Sequence, residues 1–278
     1  YEAYAAGYEK DHPASPGAKK HPASGRAAKA KAKTASPEKP TKADQVWEES
    51  KAQDGLLNAG VFREGLGDFK HALKDREKYL ELWPKAKDVE VVEKSMIDLY
   101  EKMGAYGKVL KSLEEYEAKY GKDPNKLLAA EGRIAALYEN QLKNPRKARG
   151  IHDRTVSAYE KLGKKQREAL EIGALDAVAR ATFVTNEDAW KKYASIKLRW
   201  SSVQNIGELK ASIKTKGDAL AELQKTYTKT VALKSADPAI CALHKIGLAY
   251  DQFSEQLVNF PVPKGLPEEL LLELRPQF

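Results

Sequence analysis

The sequence predicts an all-α fold in which antiparallel helix pairs stack into a right-handed solenoid, preceded by a disordered N-terminal tail. A helix-turn-helix unit runs from Gln53 to Pro84, and its spacing returns in units that start near 53, 90, 128 and 166, at intervals of 37, 38 and 38 residues. Residues 46–278 also show helical apolar spacing and no strand alternation. A single unit cannot bury its apolar face alone, so stacking is expected to bury it and to leave a concave groove.

Residues 1–45 are predicted to be a disordered basic linker rich in Ala, Lys and Pro. The segment contains no Ile, Leu, Val, Met or Phe, so it cannot bury enough apolar surface to offset the entropy of ordering. Within it, residues 12–43 hold eight Lys or Arg and one acidic residue, a net +7 of the chain's +8, which leaves the remainder nearly neutral. The helical spacing of Tyr1, Tyr4 and Tyr8 suggests the last turns of a helix that belongs to an upstream domain.

The first repeat unit has a mechanical interpretation. Gly60 in the first helix and Ala72 in the second are small, which would let the two helices approach closely. Gly67-Asp68-Phe69 is expected to form the turn between them. Trp83-Pro84 is expected to end the second helix, because proline has no N–H and restricts the residue before it.

The later units follow the pattern less closely. The second unit has Gly104 at its turn position, and the third has Asn144-Pro145 near its turn. The fourth is expected to have a turn that is longer by about four residues, after which Ala189, Tyr193 and Ile196 take the second-helix positions. These three units therefore predict further helix pairs with extended helices or loops.

The repeat pattern weakens after Trp200. A degenerate unit near 203 is predicted as one long helix with an apolar stripe from Leu209 to Val231. A last unit is counted from 240 and follows Asp237-Pro238, where aspartate would cap a helix and proline would occupy its first position. Its first helix matches the repeat at Leu243, Ile246, Gly247 and Tyr250.

The repeated unit resembles the tetratricopeptide (TPR) repeat, through residues such as Gly60, Phe69 and Ala72 at the characteristic offsets. TPR arrays bind other proteins and seldom do chemistry, so the resemblance implies a non-enzymatic protein-protein interaction scaffold. Some TPR proteins hold chaperone C-termini in a carboxylate clamp. That clamp is not matched here, because Leu57 and Val61 stand where lysine and asparagine are required.

A second resemblance lies near the C-terminal end. Residues 239–250, then Phe253 and residues 261–266, look like the large TPR proteins of bacterial gliding-motility machinery. Those proteins are associated with the cell envelope. The resemblance implies a scaffold in a bacterial envelope or motility complex, in the periplasm or cell envelope rather than in the cytoplasm.

In TPR geometry the first-helix offsets 2, 5, 6, 9, 12 and 13 face the concave groove, so the resemblance implies a set of peptide-contacting residues. In the first three units these candidates include Leu57, Asn58, Val61, Glu64, Lys94, Ser95, Asp98, Glu101, Arg133, Ala136 and Asn140. An apolar patch at Leu57 and Val61 is followed by alternating charges. The expected partner is an extended or helical peptide with an apolar anchor and charges of both signs.

No motif for a catalytic, cofactor or metal site is present. The sequence has no GxGxxG, P-loop, HExxH or GxSxG pattern, and no histidine lies three or four residues from another. We therefore expect no enzyme activity and no cofactor. The single cysteine, Cys241, excludes an internal disulfide and is predicted to be a small buried residue beside Ile240 and Leu243.

The basic tail supports an alternative function. Lysines within residues 12–43 could neutralise phosphates, which would make the chain a TPR adaptor whose tail binds nucleic acid or another anionic surface. No aromatic residue lies between Glu9 and Val46, so base stacking is unavailable and only non-specific, salt-sensitive binding is expected. Ala/Lys/Pro stretches are also typical of spacers, which keeps the scaffold as the first interpretation.

Overall fold

The computed structural model describes residues 2–11, 48–269 and 272. Within these residues the regular secondary structure is helical and no strand is present, which confirms the predicted all-α class. The helices are α1 (Glu2–Asp11), α2 (Glu49–Gly65), α3 (Phe69–Leu82), α4 (Val89–Lys102), α5 (Tyr106–Tyr120), α6 (Pro124–Asn140), α7 (Pro145–Glu160), α8 (Lys164–Glu168), α9 (Ile172–Thr185), α10 (Glu187–Ser195), α11 (Ile206–Ala232) and α12 (Ala236–Val258). Helices adjacent in sequence pack as pairs, including α2 on α3, α6 on α7 and α11 on α12.

The chain divides into two compact units, residues 1–109 and 110–278. In the first unit α2 packs against α1 and α3, and α3 packs against α4. The turn between α2 and α3 forms as predicted: Gly67 has a φ of 77°, and Asp68 caps α3 by accepting a hydrogen bond from the backbone N–H of His71. Gly60 faces α3, since a Cβ at this position would lie 3.6 Å from the carbonyl oxygen of Ala72.

Helix α1 differs from the predicted disorder of residues 1–45. Ala5 and Tyr8 are buried in the core cluster of the first unit, and the ring of Tyr8 lies 5.5 Å from the ring of Trp83. Helix α1 packs on α2 of the first unit. The absence of Ile, Leu, Val, Met and Phe from residues 1–45 does not prevent this helix from packing, since an aromatic ring supplies a large buried area by itself. Residues 12–45 of the predicted linker lie outside the described residues.

In the second unit α6 packs against α7 and α9, and α7 also packs against α9. Helices α6 and α9 approach closely at Gly132, where a Cβ would lie 2.6 Å from the Cβ of Ala177. The predicted start of α7 is confirmed: Asn144 caps the helix with its side chain, and Pro145 is its first residue. Helix α6 begins at Pro124, ahead of the predicted start at 128.

The fourth unit departs from its predicted register. Its first helix, α9, begins at Ile172 instead of near 166, and Gln166 belongs to the short helix α8. The N–H of Gly163 donates to Oε1 of Gln166 at 2.9 Å, which fixes Gln166 in the first turn of α8. The predicted long turn is also wrong, because Asn186 alone separates α9 from α10. The late start of α9 places its end next to α10.

The last two long helices form as predicted, with differences at their ends. Helix α11 is a single long helix. Helix α12 begins at Ala236 with Ser235 as its N-cap, whereas the sequence favours Asp237 as the cap. Pro238 is tolerated in the first turn because the N–H groups there have no intrahelical partner.

A buried lysine joins α10, α11 and α12. Lys216 on α11 is fully buried, and its Nζ donates to the carbonyl oxygens of Tyr193 and Ile196 at 2.9 and 3.0 Å and to Oε1 of Gln252 at 3.1 Å. Burial lowers the pKa of Lys216 to about 8, with a further contribution from the positive charge of Lys197. Lys216 thereby satisfies carbonyl groups at the C-terminal end of α10.

Lys216→Met is expected to lower the free energy of unfolding by about 1–3 kcal/mol, because buried carbonyl groups lose their donor. Between a folded pKa of about 8 and the ordinary value of 10.5, the unfolded chain binds more protons than the folded chain. The wild type should therefore gain stability relative to Lys216→Met as the pH rises through this range. Urea denaturation of both proteins from about pH 7 to about pH 9.5 measures the difference, and a constant difference would contradict this titration.

Gly132→Ala is expected to destabilise the protein by about 1–3 kcal/mol, because the added methyl group would overlap Ala177. Gly150→Ala is the matched control: Gly150 lies within α7, and a Cβ there meets nothing within 4 Å. Alanine at that position should stabilise the helix by about 0.5–1 kcal/mol. Thermal melts compare the two variants, and equal effects would show that α6 and α9 are not in close contact at Gly132.

Candidate functional site

An apolar surface lies on the exposed side of α2. Val61, Phe62 and Leu66, at the C-terminal end of the helix, are 60%, 61% and 85% exposed, whereas Leu56 and Gly60 of the same helix are buried. Scattered apolar residues are common on protein surfaces, but adjacent large ones mark interaction sites. We call Val61, Phe62 and Leu66 the α2 face.

The exposed side of α4, in the same compact unit, is mostly charged. Val91 is 64% exposed, and it is followed at helical spacing by Lys94, Asp98 and Glu101, which are also exposed. Lys94 pairs with Glu90, one turn earlier, with a distance of 2.9 Å between Nζ and Oε1. This side of α4 therefore presents one apolar residue among charges of both signs.

A buried arginine holds α2, α3 and α4 together. Arg76 on α3 donates to Glu64 of α2, to Oγ of Ser95 on α4 at 2.6 Å and to the carbonyl oxygen of Ala72 at 3.3 Å. Lys102 of α4 also donates to Glu64, at 2.6 Å. Hydrogen bonds from Lys102 and Arg76 outweigh the effect of burial and lower the pKa of Glu64. The helices that carry the exposed side chains are thus fixed by charged hydrogen bonds as well as by apolar packing.

The predicted groove residues of the first two units fall into three environments. Leu57 is half-buried against the core cluster that contains α1, and Glu64 and Ser95 take part in the Arg76 network. The exposed members of the set are Asn58, Val61, Lys94, Asp98 and Glu101. The structure therefore brings Val61 together with Phe62 and Leu66, two residues that the sequence prediction did not include.

Phe62 and Leu66 were missed for a specific reason. They occupy offsets 10 and 14 of the first unit, which the TPR geometry does not direct to the concave side. The signal that could have found them is the excess of large apolar residues at the end of α2. One end of a helix cannot turn all of its side chains toward neighbouring helices, and the structure leaves these exposed.

The predicted residues of the third unit lie on α6, in the second compact unit. Arg133 and Ala136 are half-buried and Asn140 is exposed. Gly132 beside Arg133 is used for the close contact with α9. This part of α6 therefore packs against α9 on one side and exposes only a narrow strip of side chains on the other.

Two carboxylates on α6, the half-buried Glu139 and the buried Glu131, bind basic groups of neighbouring helices. Glu139 accepts hydrogen bonds from Nε2 of His152 at 2.9 Å and from Arg180 at 2.6 Å. Burial opposes ionisation, but these hydrogen bonds dominate and lower the pKa of Glu139. Glu131 lies 2.6 Å from Nε of Arg154, and its burial raises its pKa. Both carboxylates serve the packing of α6 against α7 and α9.

The described residues show no arrangement suited to metal chemistry. No group of three His, Cys, Asp or Glu among them could hold a metal ion. Cys241 is exposed, which corrects the expectation of a buried thiol, because α12 turns Ala242 and Ala249 toward the core instead. Within the described ranges, no helix has the length and apolar character required to cross a membrane.

No protein-family model matches the chain, and no curated protein matches it either. Among solved structures, a candidate protein-binding protein from Bacteroides ovatus ATCC 8483 aligns with 72% of this chain and 99% of its own, at 14% sequence identity and a TM-score of 0.35. A TM-score this low does not establish a shared fold. This likeness therefore carries no argument about what the chain does.

Arg76→Met is expected to lower the free energy of unfolding by about 1–3 kcal/mol, because Glu64 and Ser95 lose the donor that Arg76 provides, while Lys102 still bonds Glu64. Lys111→Met is the matched control, since Lys111 forms an exposed pair with Glu115 and should change stability by less than about 0.5 kcal/mol. Urea denaturation measures both variants. Equal stabilities would mean that the Arg76 network does not hold the three helices together.

Proposed function

We propose that this protein is a non-enzymatic protein-protein interaction scaffold, a right-handed solenoid of TPR-like helix pairs that binds partners through exposed helix faces. The α2 face carries the proposal: three large apolar side chains are exposed on a helix whose opposite side is fixed by the core and by Arg76. Covering apolar surface contributes about 25 cal/mol per Å². A rigid helix also loses little conformational freedom on binding.

The chemistry of the exposed faces defines the partner we expect. It is an extended or helical peptide whose apolar anchor covers the α2 face and whose charges, of both signs, meet Lys94, Asp98 and Glu101. The anchor should dominate the binding free energy, since exposed ion pairs contribute only about 0–1 kcal/mol each. Binding energy usually concentrates in a few well-covered apolar contacts.

The resemblance of residues 239–250 and 261–266 to gliding-motility proteins supports a more specific setting. We propose that the scaffold acts in a bacterial envelope or motility complex, in the periplasm or cell envelope. The proposal for the α2 face does not depend on which protein the partner is or in which compartment the two meet. A different compartment would leave the role of α2 unchanged.

The alternative function, an adaptor whose tail binds nucleic acid or an anionic surface, is favoured by the net charge of +7 in residues 12–43. We expect the tail itself to bind nucleic acid only non-specifically, with an affinity that weakens steeply with salt, because the binding depends on the release of counterions from phosphates. A gel-shift assay at increasing salt tests it. Salt-resistant, sequence-dependent binding would favour the adaptor over the scaffold.

Phe62→Asp is expected to abolish the capture of partners, because it places a carboxylate in the apolar contact. The fold should persist, since Phe62 is exposed. Affinity capture from the source cells with quantitative mass spectrometry compares this variant with the wild type, and Lys94→Glu should only weaken capture. Ile172→Asp is the control, because Ile172 is 79% exposed in the other compact unit. Full retention of partners by Phe62→Asp would exclude the α2 face as the binding surface.

A further inference from the structure

A second apolar surface lies on α12, in the other compact unit. Ile240, Leu243 and Tyr250 are 65%, 55% and 48% exposed, on the side of the helix away from the buried Ala242 and Ala249. Through Gly247, the spacing of three, four and three residues puts them in one stripe along the helix. We call Ile240, Leu243, Gly247 and Tyr250 the α12 stripe.

Gly247 shows that this stripe has room for another helix. A Cβ at Gly247 would meet nothing within 4 Å, although a glycine inside a helix costs about 1 kcal/mol relative to alanine. Gly60 occupies the position in the first unit that Gly247 occupies in the last. At Gly60, however, α3 lies against the glycine at Ala72. Among the described residues, this glycine position is therefore covered by a neighbouring helix on α2 and left uncovered on α12.

The neighbouring helix extends the open surface. A furrow of about 370 Å³ runs along α11, lined by Ala221, Gln224, Lys225, Thr228, Lys229 and Ala232. Tyr250 Oη lies 2.8 Å from Oε1 of Gln224, to which it donates, so the α12 stripe and the furrow adjoin. We call the two surfaces together the trough: the apolar α12 stripe forms one side, and the exposed side chains of α11 that line the furrow form the other.

The two edges of the trough differ in charge. Lys225 and Lys229 lie along the α11 edge, whereas Asp251 and Glu255 lie on α12 beyond the stripe. A helix in the trough would be favoured if its flank toward α11 carried carboxylates. An antiparallel two-fold pairing of two copies would instead bring the lysine edges together, which disfavours that arrangement of a second copy.

We propose that the trough between α11 and α12 binds an amphipathic helix of a partner protein. The helix presents a glycine or alanine to Gly247, apolar side chains to Leu243 and Tyr250, and carboxylates to Lys225 and Lys229. Residues 267–278 do not fit this description, because they contain neither glycine nor alanine. This surface is independent of the α2 face.

The test uses the full chain and a fluorescein-labelled amphipathic peptide of about 20 residues. The peptide carries a Leu/Ala stripe with glutamates on one flank, and the comparison peptide has lysines in place of the glutamates. Fluorescence anisotropy should show binding of the glutamate peptide that is at least about tenfold tighter than binding of the lysine peptide. Equal affinity for both peptides, or no binding of either, would overturn the proposal.

Gly247→Leu separates binding from folding. Since the position is open, the variant should melt no lower than the wild type, while the leucine side chain fills the trough and weakens peptide binding at least about tenfold. Gly150→Leu on α7 is the matched control and should bind as the wild type does. Unchanged peptide affinity in a folded Gly247→Leu would overturn the proposal.

Two further variants distinguish the trough from other surfaces. Leu243→Asp should abolish peptide binding, whereas Leu248→Asp should not, because Leu248 is exposed on α12 outside the stripe. Phe62→Asp should also leave peptide binding intact, so failure of the α2 face and failure of the trough give different results. Sedimentation that shows self-association of the wild type, lost in Leu243→Asp, would overturn the proposal in favour of a second copy.

Discussion

Close approach of helices at small residues is the constraint on which the rest of the structure depends. At Gly60 the space of a side chain is taken by α3, and at Gly132 there is no room for even a methyl group beside Ala177. Such contacts bring helix backbones near each other, so the flanking large side chains interlock and exclude water. Where a small residue has no neighbour, as at Gly247, the same geometry leaves a place for another helix.

Charged groups fix helix positions that apolar packing alone would leave looser. Arg76 links α2, α3 and α4, Glu139 links α6 with α7 and α9, and Lys216 links α10, α11 and α12. Each of these charges is at least partly buried and makes several hydrogen bonds, which offset the cost of its desolvation. The result in each compact unit is a rigid support for exposed apolar side chains.

The helical class and the turns with strong local signals could be predicted from the sequence. Gly67-Asp68 and Asn144-Pro145 encode their turns within a few residues, and both were predicted at the right place. The start of α9 could not, because Gln166 matches the repeat spacing but is bound by the Gly163 N–H in a separate short helix. The docking of α1 was also missed, since it depends on contact of Tyr8 with Trp83, far away in the sequence.

In the candidate site, too, features set by neighbouring residues could be predicted, whereas features set by contacts between distant residues could not. Exposure of Val61 and of the α4 charges follows from helical periodicity, but the use of Glu64 and Ser95 by Arg76 depends on pairs 12 and 19 residues apart. Leu57 was predicted to contact the partner's apolar anchor because nothing in its own helix shows that the core cluster beside α1 partly covers it. Helical periodicity thus indicates which residues are exposed, but not which residues the interhelical hydrogen bonds use.

The central claim, that an exposed helix face binds another protein, is tested most directly by photo-crosslinking in the source cells. A benzophenone amino acid in place of Phe62 reports contacts of the α2 face, and the same group in place of Ile172 reports those of an equally exposed position elsewhere. The account predicts a discrete adduct with a partner protein at position 62 that is missing at position 172. The same adducts at both positions, or none at position 62, would contradict it.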